Sequence, residues 1–321
     1  MKAGVRMIKV LVTGGAGFIG SHLVNRLVRL GIRVVVVDDL STGRMSNFEA
    51  PERLMVYVRD VRDSAFMHHL LTQERFDYIY YLAAITSVVD SIKRPAATHA
   101  IDNDAVLDTL EYLRVQKLPL KQFLFTSSAV VYGDLPELPK CEDSRVAPVS
   151  PYAIDKYATE RYVLAYGQLY QLPTVCVRLF NVYGPKQNPN SPYTGVLSIL
   201  THCLDTGRPF TEFGDGTQTR DFIYIEDVIS ALWLIHKVRT VEVINVANGE
   251  EVSLNRVIQT YERITARSVP LIRRPWRRGD IHRSVANIRR LTLLGYTPAW
   301  SLERGLAAYW HELHAGTNHP V

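Results

Sequence analysis

Three polar side chains near the middle of the chain have the types and the spacing for proton transfer. Tyr152 and Lys156 stand at i, i+4 in Ser150-Pro151-Tyr152-Ala153-Ile154-Asp155-Lys156, which reads as the opening of a helix, so both lie on one face. A phenol, with an ordinary pKa of about 10, is a poor base at neutral pH, and an ammonium one turn away favours its ionised form. Tyr-x-x-x-Lys by itself is common on helix surfaces. It gains meaning from Thr126-Ser127-Ser128-Ala129-Val130-Val131-Tyr132-Gly133, the end of an apolar strand pattern, where hydroxyls at a parallel strand's carboxyl end face a ligand cleft. Ser128 there would hydrogen-bond a substrate hydroxyl and relay its proton to Tyr152.

A second constellation lies at the N-terminal end. Thr13-Gly14-Gly15-Ala16-Gly17-Phe18-Ile19-Gly20 follows a β-branched run and opens a helical one, the setting in which a glycine pattern cradles a dinucleotide pyrophosphate at a helix N-terminus. Gly15, Gly17 and Gly20 fit G-x-G-x-x-G; Gly14, Gly17 and Gly20 fit a G-x-x-G-x-x-G variant. The next strand pattern ends at Asp38, about 20 residues on, where a carboxylate binds a ribose 2′-hydroxyl; the plainer reading of Asp38 is a turn residue. With Asp39 beside it and Arg44 several residues away, Asp38 would repel a 2′-phosphate, which selects NAD over NADP. An oxidised nicotinamide would then add a second cation near Tyr152. Lowering the phenol by about 3 units requires roughly 4 kcal/mol of differential stabilisation, within reach of two nearby cations in a partly dry cleft.

The elements that must position these groups alternate. Strand patterns at Ile8–Thr13, Arg33–Asp38, Leu54–Val58, Tyr78–Leu82, Gln122–Ser127 and Thr174–Leu179 are separated by helical ones at Phe18–Leu30, Asp63–Leu71, Asp104–Arg114 and Pro151–Tyr170. The four consecutive valines before Asp38 suit a strand buried on both faces. This predicts an α/β fold of Rossmann type, a doubly wound parallel sheet with a smaller C-terminal substrate lobe. The texture changes after Leu179: Asn181–Tyr193 reads as a long functional loop. We therefore expect an NAD-binding domain over residues 1–180 and a substrate-binding lobe over 181–321. Phe222–Ile225 and Val243–Val246 are candidates to return to the main sheet.

Bulk properties narrow the function further. No apolar run approaches the ~20 residues of a membrane helix, and Lys9 interrupts the only N-terminal run that resembles a signal peptide. The three cysteines show no CxxC spacing, and the histidines, His68-His69 included, lack metal-ligand spacing. A cytoplasmic protein without metal is expected. The net charge of +5 is concentrated in Arg273-Arg274-Pro275-Trp276-Arg277-Arg278, with no nucleic-acid-binding signature beside it. The stretch reads either as a solvated basic loop or as ligands for a nucleotide diphosphate. Neither nucleic acid nor membrane is expected as a partner.

Taken together, these motifs resemble the extended short-chain dehydrogenase/reductase family and, within it, its UDP-hexose 4-epimerase branch. The likeness runs through TGGAGFIG, VVVVDDLSTG, Asp60-Val61, Leu82-Ala83-Ala84, TSSAVVYG, SPYAIDK, RLFNVYGPKQ, GDGTQTRDFIYIEDV and RRGDI. It implies that Gly14, Gly17, Phe18, Ile19, Gly20, Asp38, Asp39, Leu40, Ser41, Thr42 and Gly43 bind NAD, that Asp60 and Val61 hold the adenine, and that Leu82, Ala83, Ala84 and Phe180 line the cofactor. It makes Ser128, Tyr152 and Lys156 the catalytic triad. For the UDP-sugar it implies Thr86, Ser128, Tyr152, Asn181, Val196, Arg220, Arg277 and Asp280, with Phe213 packing on the uracil. A homodimer through the helices near Asp104–Arg114 and Pro151–Tyr170 is implied in the same way.

Two departures from the family pattern matter. Where relatives read Asn-Val-x-Gly-Thr, this chain reads Asp102-Asn103-Asp104-Ala105-Val106, so no cofactor contact is assigned there. A bulky tyrosine of strict glucose/galactose epimerases corresponds to Ser284, which leaves room for a 2-acetamido group, and residues 189–196 look like the same N-acetylhexosamine branch. Related dehydratases carry Asp-Glu at Ala129-Val130, and decarboxylases carry Glu at Val130, so neither reaction is expected. The expected activity is NAD-dependent 4-epimerisation of a nucleotide-sugar through a transient 4-keto sugar. A 4-ketoreductase or dehydrogenase is the alternative, and a non-catalytic NAD-binding regulator on the same fold is a further one.

Overall fold

Six β-strands in the first part of the chain, β1 (Lys9–Thr13), β2 (Arg33–Asp38), β3 (Met55–Val58), β4 (Tyr78–Tyr81), β5 (Gln122–Ser128) and β6 (Thr174–Leu179), form a sheet with a seventh strand, Glu242–Val246. The order is Glu242–Val246, β6, β5, β4, β1, β2, β3. The β1·β2, β1·β4, β2·β3 and β4·β5 pairings are parallel. Val34 to Val37 are at most 1% exposed, as a strand covered on both faces requires. This computed structural model describes residues 7–187, 195–276 and 281–315.

The helices of this half are α1 (Phe18–Arg29), α2 (Ser64–Glu74), α3 (Val88–Lys93), α4 (Pro95–His99), α5 (Ala105–Val115) and α6 (Pro151–Tyr170), with a π-helical turn at Ala100–Asp104 between α4 and α5. Leu11, Val35, Ile79 and Phe123 of the sheet pack with Met67, Leu71, Leu110 and Val163 of the helices in one apolar core. Ser150 caps α6, its Oγ accepting the Ala153 N–H at 3.2 Å, and Pro151 takes the first helical position, where its missing N–H costs nothing. The sequence patterns locate α1, α2, α5 and α6 to within a few residues, whereas the short α3 and α4 were not anticipated. The helix expected from Asp104 begins one residue later and is preceded by the π turn.

The chain divides into two compact units. The first comprises the residues up to Ser128, Pro148–Arg178 and His236–Val243; the second comprises Ala129–Ala147, Leu179–Ile235 and the residues from Ile244 onward. The second unit is built from short pairings. Val182–Tyr183 pairs with Ile223–Tyr224, Phe210–Phe213 with Leu271–Arg274, and Thr219–Arg220 with Val252–Ser253. Helices Val196–Thr206, Ile225–Ile235, Leu254–Thr265 and Leu302–Ala315 accompany them. Two expectations are corrected here. Ile223–Tyr224 does not rejoin the main sheet; its two residues pair locally, and among the described residues of the second half only Glu242–Val246 returns. The basic stretch is not simply a loop, because Leu271–Arg274 is a strand in which Arg273 Nε donates to the buried Glu212 Oε2 at 3.0 Å.

Candidate active site

In the first unit the chain turns sharply after Thr13. Gly14 has φ +69°, and a Cβ there would lie 2.8 Å from the Ala83 nitrogen; a Cβ on Gly20 would lie 2.1 Å from the Gly14 oxygen. No other residue type fits either place, so the loop and the first turn of α1 are in backbone contact. Gly17 is the N-cap of α1; no side chain caps this end and no acidic residue stands in the first turn. The leading N–H groups and the positive end of the helix dipole are therefore available to an anion. These features fit a dinucleotide pyrophosphate.

Asp38 secures this loop. It is 7% exposed; Oδ2 accepts the Ala16 N–H at 2.8 Å and Oδ1 the Leu40 N–H at 2.9 Å. Burial raises its pKa above the usual carboxylate value, and those two backbone donors oppose the rise. The segment after Asp38 folds back on the same point. The Ala16 carbonyl accepts from the Arg44 N–H at 3.0 Å and from Asn47 Nδ2 at 2.8 Å, while the Asp39 carboxylate accepts from the Ser41 N–H and hydroxyl. Thr42 is exposed and Gly43 buried. Leu82 and Ala83 donate their N–H groups to Thr13 Oγ1 at 3.2 and 3.3 Å, and Ala84 follows, partly buried. Asp60 is held by Arg62 at 2.6 Å, which lowers its pKa; Val61 beside it is buried.

Ser128 ends β5, and Tyr152 and Lys156 project from the first turns of α6, all in the first unit. Tyr152 is 7% and Lys156 2% exposed. The Ser128 hydroxyl is hydrogen-bonded to the Tyr152 phenol. Lys156 Nζ lies 5.9 Å from the Tyr152 ring centre and 4.9 Å from that of Phe125. The electrostatics correct the expectation of a phenol lowered by its lysine. Burial first and Asp102 second push the Tyr152 pKa well up, and only Ser128 pulls it down. Burial also lowers Lys156, with Asp102 and Asp155 opposing. The protein's own groups thus keep the phenol protonated, because desolvation outweighs an ammonium held at the ring's distance. Asp102 was legible in the sequence only as a departure from the family pattern; its place beside this pair comes from the fold. Thr86 is exposed, immediately before Ser87, the N-cap of α3.

The second unit holds a cavity of about 110 Å³ lined by Val196, Phe210, Thr211, Phe213, Gln218, Arg220, Phe222, Leu254, Trp276 and Ile281. Three residues expected at the nucleotide, Val196, Phe213 and Arg220, meet here. Trp276 was not anticipated in this role; Gly214 signals it, since its φ is +87° and a Cβ would lie 2.5 Å from the indole. Arg220 Nη1 donates to the Thr219 carbonyl at 2.7 Å. Asn181 Nδ2 donates to the Asp221 carbonyl at 2.9 Å. The neighbouring carboxylate of Asp221 accepts the N–H groups of Asn248, Gly249 and Ala286 at 2.9, 3.0 and 3.1 Å. Ser284 is partly buried in a segment without regular secondary structure and does not line the cavity. Phe180 is buried against Tyr132, ring centres 6.0 Å apart. Arg277, Asp280 and most of residues 189–196 lie outside the described residues.

Against known proteins, residues 10–247 match the model of the NAD dependent epimerase/dehydratase family. The UDP-glucose 4-epimerase of Mycolicibacterium smegmatis is 36% identical over 94% of this chain and 96% of its own. The crystal structure of the Thermotoga maritima UDP-glucose 4-epimerase with UDP-glucose superposes with a TM-score of 0.92 at 33% identity, covering 97% of this chain and 100% of that one. A UDP-N-acetylglucosamine 4-epimerase from Methanobrevibacter ruminantium, solved with UDP-N-acetylmuramic acid, gives a TM-score of 0.91 at 33% identity and the same coverage.

Proposed function

The chain belongs to the NAD dependent epimerase/dehydratase family, and from that premise we propose that it is an isomerase that inverts C4 of a UDP-hexose or UDP-N-acetylhexosamine. The observation that carries the reading is the hydrogen-bonded Ser128–Tyr152 pair with buried Lys156 beside it, on β5 and α6, in the same unit as a glycine loop that leads into the uncapped N-terminus of α1. Residues 1–180 serve as the NAD-binding domain and 181–321 as the nucleotide-sugar lobe.

NAD, held by the glycine loop and Asp38, would supply the hydride acceptor and donor for sugar C4 and a second positive charge near Tyr152 besides that of Lys156. Tyr152, its hydroxyl already bonded to Ser128, takes the proton from O4 as the C4–H bond breaks, leaving a 4-keto sugar. Lys156 stabilises the phenolate while it lasts. After the sugar presents its other face, Tyr152 gives the proton back to O4 as the C4–H bond re-forms, so no proton or electron would be gained or lost over the cycle. Phe213, Trp276 and Arg220 grip the uridine diphosphate, Arg220 by charge-assisted bonds, with Asn181, Arg277 and Asp280 completing the grip. A firm nucleotide and a loosely held sugar are what a rotation between two hydride transfers requires.

Ser284 leaves room for a 2-acetamido group, and similarity to both a UDP-glucose and a UDP-N-acetylglucosamine 4-epimerase supports testing both sugars. The three cysteines, all free, suit the reducing cytosol, and among the described residues no helix is long and apolar enough to cross a membrane. Exposed apolar side chains on α6 suit a homodimer; neither nucleic acid nor membrane enters this reading. The test is proton NMR of the purified protein with UDP-glucose and, separately, UDP-N-acetylglucosamine, with no cofactor added. Appearance of the galacto epimer establishes a self-contained redox cycle on retained NAD. Turnover that needs stoichiometric NAD or NADH instead would reassign the protein as a dehydrogenase or 4-ketoreductase.

A further inference from the structure

One carboxylate near the tyrosine–lysine pair has no part in the reaction just described. Asp102 stands on the π-helical turn Ala100–Asp104 and is 1% exposed. Its Oδ1 accepts the Ile85 N–H at 2.8 Å, and its main-chain carbonyl accepts the Thr159 hydroxyl of α6 at 2.8 Å. The second bond ties the turn to the helix that carries Tyr152 and Lys156. Oδ2 is buried with no hydrogen-bond partner among the described residues, although buried carboxylate oxygens are ordinarily satisfied.

The charged and titratable groups around it come from four elements. From α6 they are Lys156, Asp155 and Tyr152; from α4 and its own turn, His99 and Asp104; from β4, Tyr81. His99 is engaged by Asp155 at 2.7 Å and by Asp104 at 3.5 Å, which offsets part of those charges. For Lys156, Asp102 is the leading favourable electrostatic neighbour, and for Asp102 the same is true of Lys156. The two are farther apart than the roughly 4 Å of a direct salt bridge, so they act on each other through the poorly screening interior.

We propose that Asp102 is a positioning residue whose carboxylate is the buried counter-ion of Lys156, keeping the ammonium charged beside Tyr152 and setting the proton affinity of the pair. The proposal rests on the reading of Tyr152 and Lys156 as the proton-transfer pair. Burial pushes the Asp102 pKa up to about 6, so the counter-ion is present at neutral pH and is lost on acidification through that range. Asparagine at this position would still accept the Ile85 N–H but carry no charge, and Asp102→Asn therefore separates the two roles.

The experiment is a pH titration of lysine 13Cε resonances in the NAD-loaded protein, with Lys156 assigned by its disappearance in Lys156→Met. In the wild type, the Lys156 resonance is expected to inflect near pH 6 as Asp102 takes its proton. In Asp102→Asn that inflection disappears and the Lys156 midpoint falls by about one pH unit; kcat/KM loses the matching limb. A wild-type Lys156 resonance with no such inflection, or an unshifted midpoint in the folded variant, overturns the proposal. Asp102→Ser, which keeps a small acceptor for Ile85, takes the place of the asparagine variant if that one does not fold. Failure of the functional reading is distinct: it would appear as no sugar interconversion by the wild type, whereas the Lys156 midpoint is read without turnover.

Discussion

At Tyr152 the protein's own groups work against the ionised phenol: burial and Asp102 raise its pKa, and only the Ser128 hydrogen bond lowers it. On the proposed reading, Lys156 and the cofactor's positive ring must together offset that rise before the phenol can act as a base. Tyr152→Phe keeps the ring and its packing and removes the acceptor, so kcat should fall by about 10²- to 10⁴-fold while NAD remains bound; NMR turnover and cofactor content measure the two. Full activity in that variant would sink the assignment. Gly20→Ala tests the dinucleotide cradle. Its Cβ would fall 2.1 Å from the Gly14 oxygen, so the loop must shift and NAD retention should drop by tenfold or more, which equals about 1.4 kcal/mol; retention at the wild-type level would remove the cradle from the reading. The glycine spacing and the i, i+4 tyrosine–lysine pair are local patterns and were legible in the sequence. The raised phenol was not, because its second cause, Asp102, belongs to a different helical turn and meets Tyr152 only through the fold.

At the scale of elements, legibility followed periodicity and length. Arg33–Asp38 and Thr174–Leu179 are long apolar runs between parallel neighbours, and their expected bounds agree with the structure. The two-residue strands Val182–Tyr183 and Ile223–Tyr224 are too short to show a period of two, and their pairing is decided by tertiary contact. Leu271–Arg274 is wholly exposed, so its arginines hid a strand that backbone bonds to Phe210–Phe213 define. Helix α6 joins the scales, because it carries the proposed catalytic pair near its start and bare apolar side chains farther along. Tyr162 is 45% and Leu169 71% exposed, and α5 packs beside it, Tyr166 bonding Glu111 at 2.7 Å. If a second copy covers this face, Leu169→Glu together with Tyr162→Glu should convert a dimer to a monomer in sedimentation velocity at micromolar concentration; an unchanged sedimentation coefficient would remove α6 from any interface. At the other end, Ser150→Ala deletes the cap bond and should cost about 1 kcal/mol, seen as a lower unfolding midpoint.

For the whole molecule, two buried carboxylates, one in each compact unit, make opposite predictions from the same shift. Burial raises both Asp102 and Asp221 to about 6, well above their ordinary value in an unfolded chain. Between roughly pH 4 and 6 the folded protein therefore holds more protons at these sites than the unfolded one, so their contribution to stability is present below about pH 4 and is lost as pH rises through 6. Asp102 makes one side-chain hydrogen bond, to Ile85, and leaves Oδ2 unpartnered. Asp102→Asn removes the buried charge and keeps that bond, at the expense of the attraction to Lys156. A net gain of about 1 kcal/mol is expected at pH 7.5 and none at pH 4. Asp221 is different because its two oxygens accept three backbone N–H groups, from Asn248, Gly249 and Ala286. An amide offers one oxygen and turns its NH₂ toward a donor, so Asp221→Asn should lose about 2–4 kcal/mol at pH 7.5 although it too removes a buried charge. Thermal unfolding of the two variants beside the wild type at pH 4 and 7.5 decides it. A rise for Asp102→Asn and a fall for Asp221→Asn would mean that Asp102 is kept against the interest of stability, as a group held for function is; a fall for both would make Asp102 one more structural acceptor.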